Sequence, residues 1–283
     1  MRALVLLTLL SFSLPAMAQT SRCDELSGEQ ARLAADLLGR IHPYDCCDDT
    51  IKACLDAGTE CSLVARLAND VCRQVAAGME ASEIERAMSR RAQSMMPSLR
   101  PATIDVDEAT RAGDASAPVT LVMYACVTCP FCYAIASDIH QLVSEGELKG
   151  KVKLYYRSYP LRDHENSVEG GLALVAAARL GEFWPFAKLL YSRIDDFSTE
   201  KAVEWAGSVE MNREEFEKLM TSPEARQALA ASRREGMANR VSATPTFFIN
   251  GRRYTYETSL EVLKDVLQEE HARVTSESTE AGG

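Results

Sequence analysis

Three cysteines, Cys126, Cys129 and Cys132, fall within seven residues, and the last two frame the tetrapeptide Cys129-Pro130-Phe131-Cys132. A C-x-x-C pair is open to two chemistries, dithiol–disulfide exchange and metal ligation. Its surroundings bear on the choice. Residues 119–124 form an apolar, β-branched-rich run of buried-strand type. Residues 133–143 follow with helical spacing. Cys129 therefore follows a strand and opens a helix. The first turn of a helix has unpaired N–H groups and a partial positive charge. A thiolate is stabilised there, so the thiol pKa falls below its free value of about 8.5. Only the thiolate attacks a disulfide. Pro130 suits the first helical position, where its missing N–H costs nothing. Cys132 lies one helical turn on, close enough to resolve a mixed disulfide, more buried and less reactive.

Cys126 leaves three readings open. It is a small buried residue at a strand end, a third redox thiol able to pair with Cys129, or a metal ligand. The overlapping Cys126-x-x-Cys129-x-x-Cys132 spacing keeps the metal reading alive, as zinc and iron–sulfur sites use similar spacings.

The other six of the nine cysteines, Cys23, Cys46, Cys47, Cys54, Cys61 and Cys72, lie before residue 80. An even set in an exported chain reads as three disulfides, with 15 possible connectivities. A small helical module buries little core and is commonly stapled in this way. A metal site is the weaker alternative, because the spacing lacks a C-x₂-C pair; His42 reads as a surface residue. Export is expected from the start of the chain. Arg2, an uncharged apolar run over residues 3–15 and Ala16-Met17-Ala18 are a positive region, an apolar core and a small-x-small cleavage site in order. The apolar run is shorter than the roughly 20 residues of a spanning helix. Cleavage after Ala18 removes one cation and no acid, leaving 30 Lys+Arg against 41 Asp+Glu. So acidic a chain is a poor partner for nucleic acid, whose binding needs a basic patch. The product is expected to be soluble and periplasmic or otherwise exported.

Residues 19–96 read as a cysteine-rich, all-helical module, with apolar residues such as Leu63, Leu67 and Val71 at helical spacing. Two close prolines, Pro97 and Pro101, mark residues 97–102 as a linker. An α/β pattern follows over 103–272. Residues 104–106 suggest a short edge strand, 113–118 a turn and 152–156 a strand. Residues 166–239 are helical and rich in alanine and leucine. Two short strands, 246–250 and 253–256, surround Asn250-Gly251, a hairpin signal. A last helix is expected over 260–267, and residues 273–283 read as a disordered tail.

Two motifs now carry a resemblance. Residues 113–132, Gly-Asp-Ala-Ser-Ala-Pro-Val-Thr-Leu-Val-Met-Tyr-Ala-Cys-Val-Thr-Cys-Pro-Phe-Cys, look like the opening of DsbA-like thioredoxin-fold oxidoreductases. Residues 243–251, Ala-Thr-Pro-Thr-Phe-Phe-Ile-Asn-Gly, resemble that family's cis-proline loop and following hairpin. The resemblance covers about residues 101–270. It implies an α/β thioredoxin-like fold with a helical insertion over about 164–239. It further implies that Pro245 follows a cis peptide bond beside the dithiol, exposing the Thr244 backbone to an extended substrate. His164 resembles a histidine often found in relatives, but capping or packing explains it as well. Two departures stand out. The family often has a histidine between its cysteines, where this chain has Pro130 and Phe131. Many relatives also have a buried acid on the strand before the dithiol, and residues 121–124 contain none. Extreme oxidising power is therefore not expected.

The expected activity is protein disulfide exchange. Cys129 attacks, Cys132 resolves, and Thr244, Pro245, Pro130 and Phe131 shape a substrate groove. No cofactor is called for, since the electrons rest on two sulfurs. Expected partners are exported cysteine-containing proteins and a membrane redox partner, with a homodimer through the N-terminal module as a further expectation. A reductase or isomerase kept reduced by that partner is the alternative, as is a metal chaperone or sensor using Cys126, Cys129 and Cys132.

Overall fold

The computed structural model describes residues 22–97 and 100–281. The expected signal segment, residues 1–18, lies outside the described residues, as do Ser98 and Leu99 of the expected linker. The chain divides into two compact units, Met1–Glu85 and Arg86–Gly283.

The first unit is helical. A 3-10 turn at Arg22–Glu25 precedes helices α1 (Gly28–Leu38), α2 (Ile51–Asp56) and α3 (Ser62–Ala76), and α4 (Ala81–Met95) starts within it. Leu37, Ile51, Leu67, Val71 and Ile84 are buried together with Cys54 and Cys72. So small an apolar set is reinforced covalently. Cys23–Cys72 ties the 3-10 turn to α3, Cys47–Cys54 ties the loop after α1 to α2, and Cys46–Cys61 ties that loop to the start of α3.

The expected module ended at residue 96, whereas the compact unit ends at Glu85, inside α4. The last turns of α4 make their contacts in the second unit. The buried Arg91 guanidinium pairs with Asp265 at 2.6 Å and Glu269 at 2.7 Å. Ser94 Oγ lies 3.0 Å from Thr255 Oγ1.

The second unit holds a five-stranded sheet, β1 (Arg111–Ala112), β2 (Val119–Ala125), β3 (Val152–Ser158), β4 (Thr246–Ile249) and β5 (Arg252–Tyr254), ordered β1-β3-β2-β4-β5. β2 and β3 run parallel, with Leu121 opposite Leu154, and are joined through α5 (Pro130–Ser144). β4 lies antiparallel on the other side of β2. Every β2 residue except Thr120 is buried, as a central strand covered on both faces requires. Asn250 and Gly251 have φ of 47° and 77°. A two-residue hairpin of type I′ needs positive φ at both positions, and Asn-Gly supplies it at least cost.

Five helices fill the chain between β3 and β4: α6 (Ser167–Arg179), α7 (Phe183–Ser192), α8 (Thr199–Ser208), α9 (Arg213–Thr221) and α10 (Pro223–Ala238). They account for the expected insertion. The last helix, α11, spans Leu260–Ala281.

Two elements differ from expectation. Residues 104–106 form no strand; the edge strand is β1. Ile104 and Val106 pack on the cluster of Val122, Tyr124, Tyr155, Tyr159, Val241 and Phe248. The amide of Asp105 is taken by Glu235 Oε2 at 2.7 Å, so alternation here marks extended chain docked by side chains. The final helix runs past Leu267 into the stretch expected to be a disordered tail. Its apolar stripe continues as charge: Glu269 faces Arg91, and Glu270, fully buried, holds Arg252, Arg273 and Asn250. Burial opposes ionisation of Glu270, but the two arginines and Asn250 outweigh it and hold the carboxyl below its ordinary range.

Candidate active site

Strand β2 delivers the chain to the site. After Ala125 the backbone turns through Cys126, Val127 and Thr128, and the amide of Cys129 closes the turn on the Cys126 carbonyl at 3.1 Å. Cys129 is the N-cap of α5 and Pro130 its first residue. The Cys129 carbonyl accepts from the amides of Cys132 and Tyr133 at 3.0 and 3.2 Å. Gly170 of α6 seats this loop: a Cβ there would collide with Val127 Cγ1. A glycine is required by that close approach.

Both dithiol sulfurs are inside. Cys129 is 2% exposed and Cys132 fully buried, whereas Phe131 between them is 73% exposed. The Cys129 thiol donates to the Thr244 carbonyl at 3.4 Å. The Thr244–Pro245 peptide is cis, and this loop leads directly into β4. The start of α5 and the start of β4 thus bring Cys129 and Thr244 together across 115 residues, with Pro245 half-buried beside Thr244 and Pro130 exposed.

The two thiols are electrostatically unlike. A hydrogen bond from the Cys132 thiol is the largest influence on Cys129. Burial opposes it, and the Thr244 hydroxyl and the amides of Cys132 and Phe131 add to it. The Cys129 pKa falls to about 5. Thr244 Oγ1 is buried and has no partner within hydrogen-bond distance, which leaves its hydroxyl available to the neighbouring thiolate. Cys132 moves the opposite way: burial first, then its hydrogen bond to Cys129 and that thiolate's charge, push its pKa far up. The arrangement makes Cys129 the nucleophile and keeps Cys132 protonated until it is needed.

Cys126 is fully buried and free. Its sulfur lies 3.5 Å from His164 Nδ1 and 3.5 Å from Thr128 Oγ1, so it has polar neighbours and is more than an apolar filler. His164 also lines a cleft of about 410 Å³ with Arg162, Asn166, Glu169 and Arg233. Sequence spacing could not join Cys126 to a histidine 38 residues away. Among the described residues, no group of three or more His, Cys, Asp or Glu side chains is arranged to hold a metal ion. The three-cysteine metal reading gains no support from this geometry.

A second pair was not legible in the sequence. Tyr156 of β3 and Tyr191 of α7 are buried with their hydroxyls 2.7 Å apart. Burial pushes both hydroxyls well above their ordinary pKa. Both sit in unremarkable apolar runs, and only the fold sets them side by side.

Comparison with known proteins agrees with this fold. A family model described as thioredoxin matches residues 106–269. Among solved structures, the thiol-disulfide exchange protein alpha-DsbA2 from Wolbachia pipientis superposes with a TM-score of 0.50 at 21% identity, covering 68% of this chain and 99% of that one. BdbD from Bacillus subtilis gives 0.52 at 18% identity, covering 61% and 98%. Among curated proteins, a Na(+)/H(+) antiporter NhaA from Salinispora tropica is 29% identical over 161 residues, 56% of this chain and 24% of that protein. One from Mycolicibacterium gilvum is 30% identical over 160 residues, 55% and 25%. The chain thus spans about a quarter of the length of the curated relatives it matches. Among the described residues, no helix is long and apolar enough to cross a membrane.

Proposed function

This chain belongs to the thioredoxin family, and from that premise we propose that it is an exported thiol–disulfide oxidoreductase acting through Cys129 and Cys132. The observation that carries the reading is the placement of the two sulfurs: Cys129 caps α5 and donates to the Thr244 carbonyl at 3.4 Å, while Cys132 is fully buried one turn on, which draws the Cys129 pKa down to about 5 and pushes that of Cys132 up. Exchange needs one thiolate that attacks and leaves readily and one thiol held back to resolve. Cys129 forms the mixed disulfide; Cys132 attacks its Cys129 sulfur, closes the Cys129–Cys132 bond and releases the substrate thiolate. The same steps reversed oxidise a substrate dithiol. The Thr244 backbone beside the sulfur, with Pro245, Pro130 and the exposed Phe131, forms the surface for an extended peptide.

Export is supported by the three disulfides of the first unit, the chemistry of an oxidising compartment. The substrates are then cysteine-containing exported proteins, and a membrane redox partner resets the dithiol. The test is trapping. In an exporting host, Cys132→Ser with Cys126→Ala should accumulate mixed disulfides through Cys129 on non-reducing gels, and Cys129→Ser should accumulate none. Adducts with neither variant, in folded protein, would overturn the reading.

A further inference from the structure

The turn that presents Cys129 begins at another thiol. Cys126 is fully buried and free. Residues 126–129 form a turn closed by the Cys129 amide on the Cys126 carbonyl at 3.1 Å. The same backbone bond links Cys129 to Cys132, at 3.0 Å. Along the chain, Cys126 therefore stands to Cys129 as Cys129 stands to Cys132. A turn holds its end Cα atoms within about 7 Å, and a disulfide joins Cα atoms about 4.4–6.8 Å apart.

Cys126 also has a base within reach. Its sulfur lies 3.5 Å from His164 Nδ1 and 3.5 Å from Thr128 Oγ1. The loop that carries His164 is pinned next to the turn. Ser167 Oγ donates to the Leu161 carbonyl at 2.7 Å, the Ser167 amide donates to the His164 carbonyl at 3.3 Å, and Gly170 lets α6 close on Val127. His164 is half-buried and lines the cleft of about 410 Å³, so a proton taken from Cys126 can pass on to water. The charged groups around it are Arg162, Glu169 and Arg233 in that cleft, with Asp163 and Glu165 beside it in the chain.

We infer that Cys126 is a second resolving thiol with His164 as its base, so that a substrate held on Cys129 has two exits. The inference rests on the oxidoreductase reading and deepens it. With the ring proton on Nε2, His164 Nδ1 takes the Cys126 proton. The Cys126 thiolate then turns from the ring and attacks the Cys129 sulfur of the mixed disulfide. The Cys126–Cys129 bond forms, the bond from Cys129 to the substrate sulfur breaks, and the substrate leaves as a thiolate with that bond's electron pair. Cys132 keeps its proton throughout. In the opposite direction a substrate thiolate attacks the Cys129 sulfur, and Cys126 leaves with the electron pair and takes the proton back from the imidazolium.

The experiment mixes the reduced full chain carrying Cys132→Ser with oxidised glutathione and follows, by acid quench and mass, the glutathione adduct on Cys129 and its decay. Cys132→Ala is run in parallel as a second background. In both, the adduct is expected to decay as a Cys126–Cys129 bond closes, located by fragmenting the alkylated peptide. Adding Cys126→Ala should lengthen the life of the adduct at least about tenfold, since the second nucleophile is gone. Adding His164→Gln should slow closure about a hundredfold, the low end of general-base contributions. It should also change the pH dependence: closure levels off with pH when the imidazole is present, and keeps rising with pH when hydroxide must take the proton. An adduct that lasts equally long with and without Cys126 overturns the second exit while exchange itself stands. Closure in His164→Gln within about twofold of the His164 chain, with the same pH profile, overturns the assignment of the base. A chain whose Cys129 takes up no glutathione overturns the oxidoreductase reading and the second exit with it.

Discussion

The two cysteine sets of this chain use one side chain for opposite ends. In the first unit six sulfurs are consumed in three disulfides, and their value is mechanical: they close loops of 49, 15 and 7 residues in a unit with few apolar residues to bury. In the second unit three sulfurs stay free inside a five-stranded sheet fold that needs no staple. Surroundings make the difference. Where cysteines meet in irregular chain around short helices, they lock it. Where one caps a helix behind a buried strand, a hydrogen bond from the Cys132 thiol, then the Thr244 hydroxyl and the amides of that helix, turn it into a thiolate.

The sharpest way to break the comparison is to exchange sulfur for oxygen on each side. Cys129→Ser should lower disulfide exchange with a model disulfide by at least about a thousandfold, since the nucleophile is gone, and should leave the three disulfides of the first unit in place. Paired Ser replacements in the first unit should do the reverse. Loop entropy assigns about 4 kcal/mol to Cys23–Cys72, about 3 to Cys46–Cys61 and about 2 to Cys47–Cys54, read as falling denaturation midpoints with unaltered exchange rates. Loss of exchange on removing Cys23–Cys72 would mean that the two sets are not separable.

Smaller changes probe how the reactive set is seated. Gly170→Ala forces a methyl into Val127 beneath the Cys126–Cys129 turn. Overpacking of this kind costs about 1–3 kcal/mol, measured by denaturant unfolding, and an unaltered stability would show that the turn yields freely. Phe131→His puts a donor where the side chain now has none. A charge-assisted hydrogen bond to the thiolate, about 1.5 kcal/mol or more, should raise the reduction potential by about 30 mV. Equilibration in glutathione buffers reads it, and an unchanged potential would show that the side chain at 131 points away from the sulfur.

Much of the site was legible in sequence because it is local. Strand, turn, Cys129 at the cap, Pro130 after it and Cys132 one turn on are contiguous, so periodicity and helix-terminus physics suffice. The Asn250-Gly251 hairpin was legible for the same reason. What escaped was carried by distant pairs or by charge in place of apolar residues. Glu269 and Glu270 continue a buried helical face in charged form, so α11 looked finished at Leu267. Arg91 does the same in α4, and the compact unit ends at Glu85, eleven residues before the expected boundary at residue 96. Ile104 and Val106 alternate like a strand, but the Asp105 amide is claimed by a side chain. His164 beside Cys126 and Tyr191 beside Tyr156 are joined only by the fold.

The central claim is that Cys129, at the helix start and hydrogen-bonded by the Cys132 thiol, and not Cys132 itself, is the thiolate. It is tested most directly by the pH dependence of alkylation of the reduced chain, with each labelled cysteine assigned by mass. A thiol whose folded pKa is depressed stabilises the folded reduced protein fully above its ordinary value of about 8.5 and loses that contribution as pH falls through its folded pKa. Iodoacetamide should therefore label Cys129 with a half-maximal rate near pH 5, with Cys132 unlabelled across the range. Half-maximal labelling of Cys129 near the ordinary thiol value, or labelling of Cys132 first, would contradict the account.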